Sequence, residues 1–201
     1  LIIIIFSVIF ALININNDRF INGVTVDGID LSGLKMEEAR EKLEQKANTT
    51  NKIEIYYKDF SNELDGKQIN VNHNIDLVLE EAYKIGRSGN ILKNNYQILC
   101  AMIFGLDVSS KFELDEERLN NEVDSISQRI PGVMVESNYY IESDKLIISK
   151  GKPGIVVNKE ELISKIRNSY ESYNNSKIEI PVIQAQPEEI SMQKIYDEIY
   201  K

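Results

Sequence analysis

"GVTVDGIDLSGLKMEEA", residues 23–39, decides how this chain is read. Val24 and Val26 alternate with Thr25 and Asp27, the period of a short half-buried strand. Gly28 and Gly33 follow, and glycine turns the backbone at positive φ without a Cβ penalty. The continuation "KMEEAREKLEQKA" places Met36, Ala39, Leu43 and Ala47 at helical spacing, with Glu and Lys on the opposite face. Glu37 and Glu38 occupy the first turn, where the helix dipole favours acids. The unit is strand, turn and amphipathic helix, and its acids read as turn and dipole residues.

Upstream lies "LIIIIFSVIFALI", residues 1–13, with no charge and one hydroxyl. A bilayer core asks for about 20 apolar residues in a helix, and this run is shorter. Because the chain opens on Leu, the expectation is an anchor whose start lies further upstream. A cleaved signal peptide and a buried core segment are the competing readings. Cleavage wants small residues at its −3 and −1 positions, and Ile13 and the following "NINND" suit it poorly. Either export reading puts residues after about 20 outside the cytoplasm.

Downstream, "KIEIYYKD" (52–59) alternates as a strand, a turn is expected near Asn62, and "ELDGKQINVN" carries Ile69 and Val71 as a second strand. "IDLVLEEAYKIG" is a helix with Leu77, Leu79, Ala82 and Ile85 facing the core, ended by Gly86. "NILKNNYQILCAMIFGL" predicts a helix that buries Leu92, Tyr96, Leu99, Ile103 and Leu106. "DEERLNNEVDSISQRI" predicts one that buries Leu119, Val123, Ile126 and Ile130. Then come a hairpin across "SD" (143–144), the strand "GIVVN", the helix "KEELISKIRNSY", the strand "KIEIPV", and a last helix in "MQKIYDEIYK" with nothing to pack on. An internal echo relates "DGKQINVNHNIDLVLEEAYKI" to "KGKPGIVVNKEELISKIRNSY": Gly66, Lys67, Val71 and Asn72 correspond to Gly151, Lys152, Val157 and Asn158. Asn72 and Asn158 read as turn or cap residues, because Asn bonds neighbouring backbone there.

The expected fold class is α+β: two related mixed strand–helix lobes after an N-terminal transmembrane or signal-anchor helix. The expected division is 1–20 anchor, 21–110 first lobe, 111–187 second lobe and 188–201 the start of a further repeat or domain.

A net charge of −9 over 201 residues argues against nucleic acid, whose phosphates need a basic surface. It also argues against anionic polymers held by charge alone. With one cysteine, Cys100, and one histidine, His73, neither a disulfide framework nor a Cys/His zinc site can be built; no metal or other cofactor is expected. Cys100 reads as a buried helical thiol and His73 as an exposed turn residue. There is no G-x-S-x-G motif. The Glu pairs at 37–38, 80–81, 116–117 and 160–161 fall on helices and read as solvated faces. Asp27 and Asp30 are three apart, the wrong step for an EF-hand calcium loop. "GRSGN" (86–90) is denser in special residues than a plain helix end. Arg87 there could offer its donor fork to a carboxylate or close its own loop.

Taken in order, "GVTVDGIDLSGLKMEEAREKL", "EEAYKIGRSGN", "GKPGIVVNKEELISKI" with "IEIPV", and "EEISMQKIYDEIYK" resemble the peptidoglycan-binding domain of bacterial cell-wall proteins, which precedes VanW-type domains and the catalytic domain of some L,D-transpeptidases. The resemblance covers about residues 21–201. Lys35 stands where the family's opening helix commonly has Thr, so the usual hydroxyl cap is absent unless Ser32 replaces it. The transpeptidase Ser-His-Gly-Cys signature is absent too, so the resemblance implies a non-catalytic part. The expected protein is a membrane-attached extracytoplasmic module that binds peptidoglycan, or a spacer for a downstream cell-wall domain with no wall affinity of its own. Candidate ligand residues are Arg87 and Asn90 of "GRSGN", with Tyr57 and Tyr140 from the strand pairs Tyr56/Tyr57 and Tyr139/Tyr140, where alternation exposes one of each.

Overall fold

The computed structural model describes residues 2–143 and 145–199. In chain order the elements are α1 (Ile2–Ile15), β1 (Val24–Val26), β2 (Ile29–Asp30), α2 (Met36–Thr49), β3 (Lys52–Tyr57), β4 (Phe60–Asp65), α3 (Ile75–Tyr83), α4 (Ile91–Phe104), β5 (Leu106–Val108), α5 (Glu116–Arg129), β6 (Asn138–Glu142), β7 (Lys145–Ser149), β8 (Gly154–Val157), α6 (Lys159–Glu171), β9 (Ile178–Glu179), β10 (Val182–Ala185) and α7 (Met192–Ile199). The class is α+β, with small sheets and helices forming two compact units. The units interleave along the chain: one comprises residues 1–52, 65–115 and 169–175, the other 53–64, 116–168 and 176–201. Residues 200 and 201, at the end of the expected 188–201 segment, lie outside the described residues.

In the first unit β1 is the middle strand, antiparallel to β2 and parallel to β5. Val24 and Val26 are fully buried, as their alternation predicts, and pack with Leu31, Ala39, Leu43, Val78 and Leu79. Gly23 fits where a side chain does not: a Cβ there would sit 1.9 Å from the Ala101 carbonyl oxygen, at φ +86. The opening of α2 resolves the missing hydroxyl. The Glu38 carboxylate accepts from the Lys35 backbone N–H at 2.7 Å, one half of a capping box. Ser32 does not cap the helix, because its hydroxyl accepts from the Gly23 N–H and donates to Asp30.

The apolar N-terminal run forms α1, fourteen residues or about 21 Å of helix at 1.5 Å per residue. Among the described residues no helix is long and apolar enough to cross a membrane. Instead α1 packs along α4. Asn95 Nδ2 donates to the Ser7 carbonyl and hydroxyl oxygens at 2.9 and 2.6 Å, and Ala11 is buried. Over its described part, the segment expected as an anchor, residues 1–20, belongs to the first unit and carries α1 against α4. Leu1 lies outside the described residues.

In the second unit β3 sits between β4 and the parallel β9, with Ile53 and Ile55 buried. β8 pairs antiparallel with β10, and β6 with β7. The turn expected near Asn62 falls instead at Lys58–Asp59, where Lys58 takes φ +51 with no Gly or Asn to announce it. "QINVN" is a turn rather than a strand: Asn70 is left-handed, and only Asn72 makes a bridge, to Glu113. "KIEIPV" splits into β9 and β10 around Pro181, which has no N–H to continue a ladder; its carbonyl accepts from Asn158 N–H. The last helix does find a partner, since Ile195 is buried. Asp144, second residue of the hairpin turn, lies outside the described residues.

The echo between the halves persists in its asparagines. Asn158 accepts from the Glu161 N–H at the start of α6, and Asn72 accepts from the Asn74 N–H just before α3.

Candidate functional site

The packing of α2 against α3 brings together chain segments that are far apart in sequence. Arg40, Glu44, Ala47 and Asn48 come from α2, Asn51 from just beyond it, Lys67 and Val71 from the turn after β4, and Asn72 to Leu77 from the entry to α3. They line a cleft of about 530 Å³ in the first unit. Gly66 lets the turn approach: a Cβ there would meet Asn51 Oδ1 at 2.4 Å and Tyr170 Cε1 at 3.0 Å.

Amides dominate the cleft, and several are fixed by neighbours. Asn51 Nδ2 donates to Asp65 at 2.5 Å, and Asn72 Nδ2 to Asn74 Oδ1 at 3.0 Å. Asn74 Nδ2 donates to the Lys111 carbonyl at 2.5 Å from a left-handed backbone (φ 47). Arg40 pairs with Asp76 across the mouth and with Glu37 beside it. Glu44, Asn48 and Lys67 point to solvent, with no side-chain partner among the described residues. The lining therefore offers paired donors and acceptors, one open cation and an apolar floor of Ala47, Val71, Ile75 and Leu77. Amides meet hydroxyl and acetamido groups in both directions, and a lysine meets a carboxylate. No cluster of metal-binding side chains exists among the described residues.

His73 forms part of the cleft wall and is only 7% exposed, not the exposed turn residue expected from sequence. Its ring stacks on Tyr173 with centroids 4.1 Å apart and tilts against Phe112 at 5.4 Å. Burial holds its pKa below the ordinary histidine value, partly opposed by the Asp27 carboxylate, so the ring is neutral at pH 7. Burial also pushes the Tyr173 phenol well above its usual range, again with a contribution from Asp27. His73 Nδ1 and Asp27 Oδ2 are each buried without a hydrogen-bond partner among the described residues, and the Ser110 hydroxyl faces the Tyr173 phenol and partly offsets its upward shift.

The four residues anticipated from sequence lie on separate stretches of the chain, two in each unit. Arg87 donates to the carbonyls of Tyr83 (2.9 Å), Asn17 (3.1 Å) and Arg19 (2.5 Å), and its guanidinium lies 4.1 Å from the Tyr83 ring centroid. It clamps the end of α3 to the segment after α1. Desolvation lowers its pKa from the usual arginine value. Asn90 is the N-cap of α4, accepting from Lys93 N–H at 2.9 Å. Tyr57 is buried in β3, and Tyr140 is half exposed on β6. Arg87 and Asn90 belong to the first unit, Tyr57 and Tyr140 to the second. The cleft's own residues carried a faint signal, the asparagine clusters at 48–51 and 70–74, which read locally as turn chemistry.

The second unit has its own cleft, about 850 Å³, lined by Ser137, Ile148, Lys150, Gly151, Pro153 and residues 186–190. It lies at the second copy of the Gly-Lys turn. Adjacent Glu188 and Glu189 set its charge against an anionic ligand, and its lining has one side-chain amide, Gln186, where the first cleft has four asparagines.

A family model described as "Putative peptidoglycan binding domain" matches residues 62–179. No curated protein and no solved structure gives a match.

Proposed function

The chain belongs to the peptidoglycan-binding domain family, and on that footing we propose that it is a non-catalytic cell-envelope module whose first-unit cleft holds peptidoglycan. The observation that carries this reading is the cleft lining: Asn48, Asn51, Asn72 and Asn74 around Lys67, over an apolar floor. A glycan strand with N-acetyl groups and a peptide carboxylate asks for that mixture. The chain attaches at a membrane through residues 1–13, with residues after about 20 on the outer side, and sits upstream of a VanW-type or transpeptidase domain that does the chemistry. The uncharged N-terminal run and the order of the sequence motifs support these last points.

The test is retention of the full chain on purified sacculi in mild detergent, against an inert protein of equal charge. Saturable retention is expected. Retention no greater than the control removes the wall-binding reading and leaves a spacer for a downstream domain, whose activity would then fall when the segment is shortened.

A further inference from the structure

The apolar stripe of α4 faces outward. Leu92, Tyr96, Leu99 and Ile103 recur at positions that share one helix face, and they are 76, 70, 50 and 67% exposed; Phe104 at the helix end is 81% exposed. The face that is buried carries Asn94, Asn95, Ile98 and Ala101. Alongside runs α1, antiparallel: Ser7 bonds Asn95, while Asn17, further along the chain, bonds Arg87. Its own outward positions include Ile5, Ile9, Leu12 and Ile13, all about half exposed or more. Soluble monomers rarely leave contiguous apolar surface of this extent uncovered.

Charge indicates what covers it. The chain has 32 acidic residues among 201, yet the two fourteen-residue helices carry none. Their single charge is Lys93, in the first turn of α4, with a stem long enough to reach headgroups. A protein partner's footprint has a polar rim, whereas this face continues uncharged from one helix to the next. Acid-free, apolar and bordered by one lysine, it matches the acyl–headgroup boundary of a bilayer whose surface is anionic or neutral. Because the α4 stripe follows the helix axis, the helix would lie in the interface plane.

We infer that the α1–α4 face docks on a lipid bilayer, so that α4, and not only the N-terminal run, holds the first unit against the membrane. This is independent of what the cleft binds; loss of sacculus retention leaves it standing, and its failure leaves the cleft reading standing.

The protein has no tryptophan, so single probes report cleanly. In the full chain, Phe104→Trp and Leu99→Trp are compared with Leu77→Trp, a position at the cleft as exposed as Leu99. With phosphatidylcholine vesicles carrying brominated acyl chains, the probes at 104 and 99 are expected to shift blue and be quenched, and the probe at 77 to be unaffected. A Leu99→Glu/Ile103→Glu variant, altered only at exposed positions, should keep its circular dichroism and partition about tenfold or more weakly. Vesicle-bound chain with an unquenched probe at 104 would overturn the inference, leaving α1 alone as the attachment. So would unchanged partition of the double variant. So too would a blue shift at 104 that grows with protein concentration in lipid-free buffer, which would assign the face to a second copy of the chain.

Discussion

α4 and α5 are both fourteen residues long, and both repeat apolar side chains at helical spacing. In α5 the stripe is the core: Leu119, Val123 and Ile126 are fully buried. In α4 the stripe is surface. The difference lies on the opposite face. The back of α5 carries Glu, Asn, Asp and Arg, which belong in water, so only one face can go inward. The back of α4 carries Ile98 among Asn94, Asn95 and Ala101, small or amide residues that pack as well as they solvate. Asn94 Oδ1 accepts the Gly89 N–H and Asn95 bonds Ser7, so polar groups specify the buried side. Periodicity reveals that a helix has an apolar face; what stands opposite decides whether the protein itself covers it.

The largest expected effect tests the α5 half of this contrast. Leu119→Ala should cost about 2–5 kcal/mol in urea unfolding, the range for a fully buried leucine. A cost below about 1 kcal/mol would mean the second unit's core does not depend on that stripe.

Next comes Arg87→Ala, which strips hydrogen bonds from three backbone carbonyls and should cost about 1–3 kcal/mol without changing retention on sacculi. Loss of retention at unchanged stability would make Arg87 a ligand residue as well as a clamp. The third effect is a pH slope. The folded-state pKa of His73 lies below its unfolded value, so the unfolded chain takes up the proton first. The associated stability is complete above about pH 6.5 and is lost as pH falls through the folded pKa. Melting temperature should decline from pH 7.5 towards 5, and less so in His73→Phe. Asp18 and Asp30, held below the usual carboxylate range by hydrogen bonds from Lys35 and Ser32, lose their contribution only in the more acidic range, so the two effects separate. The smallest change is Leu99→Ala on the α4 stripe, within about 0.5 kcal/mol in lipid-free buffer. A loss like that of Leu119→Ala would show that the stripe is covered after all.

Much of the fold was legible in the sequence. β1, β3 and β8 follow their alternation. α2, α5 and α6 follow charged outer faces that leave one inward solution. Errors arose where local signals were silent or double. Lys58 takes a left-handed turn without a glycine, and "QINVN" alternates like a strand yet closes as a turn because Gly66 must approach Asn51. His73 is buried by Phe112 and Tyr173, which lie 39 and 100 residues away and share no motif with it. The cleft was invisible for the same reason: Asn48, Asn51, Asn72 and Asn74 are ordinary turn and helix-end residues until α2 packs on α3. In the dense "GRSGN" motif Arg87 closes its own loop, one of the two roles the sequence leaves open, and Asn90 caps α4.

The most direct measurement is titration of a soluble disaccharide-peptide from the wall into the full chain and two variants. Asn48→Ala/Lys67→Ala alters exposed lining of the first-unit cleft; Lys150→Ala does the same in the second unit. The cleft reading predicts saturable binding by the wild-type chain, affinity about tenfold lower in the first variant, as loss of a charge-assisted contact implies, and no change in the second. Equal affinity in all three, or a loss confined to the second variant, would contradict it.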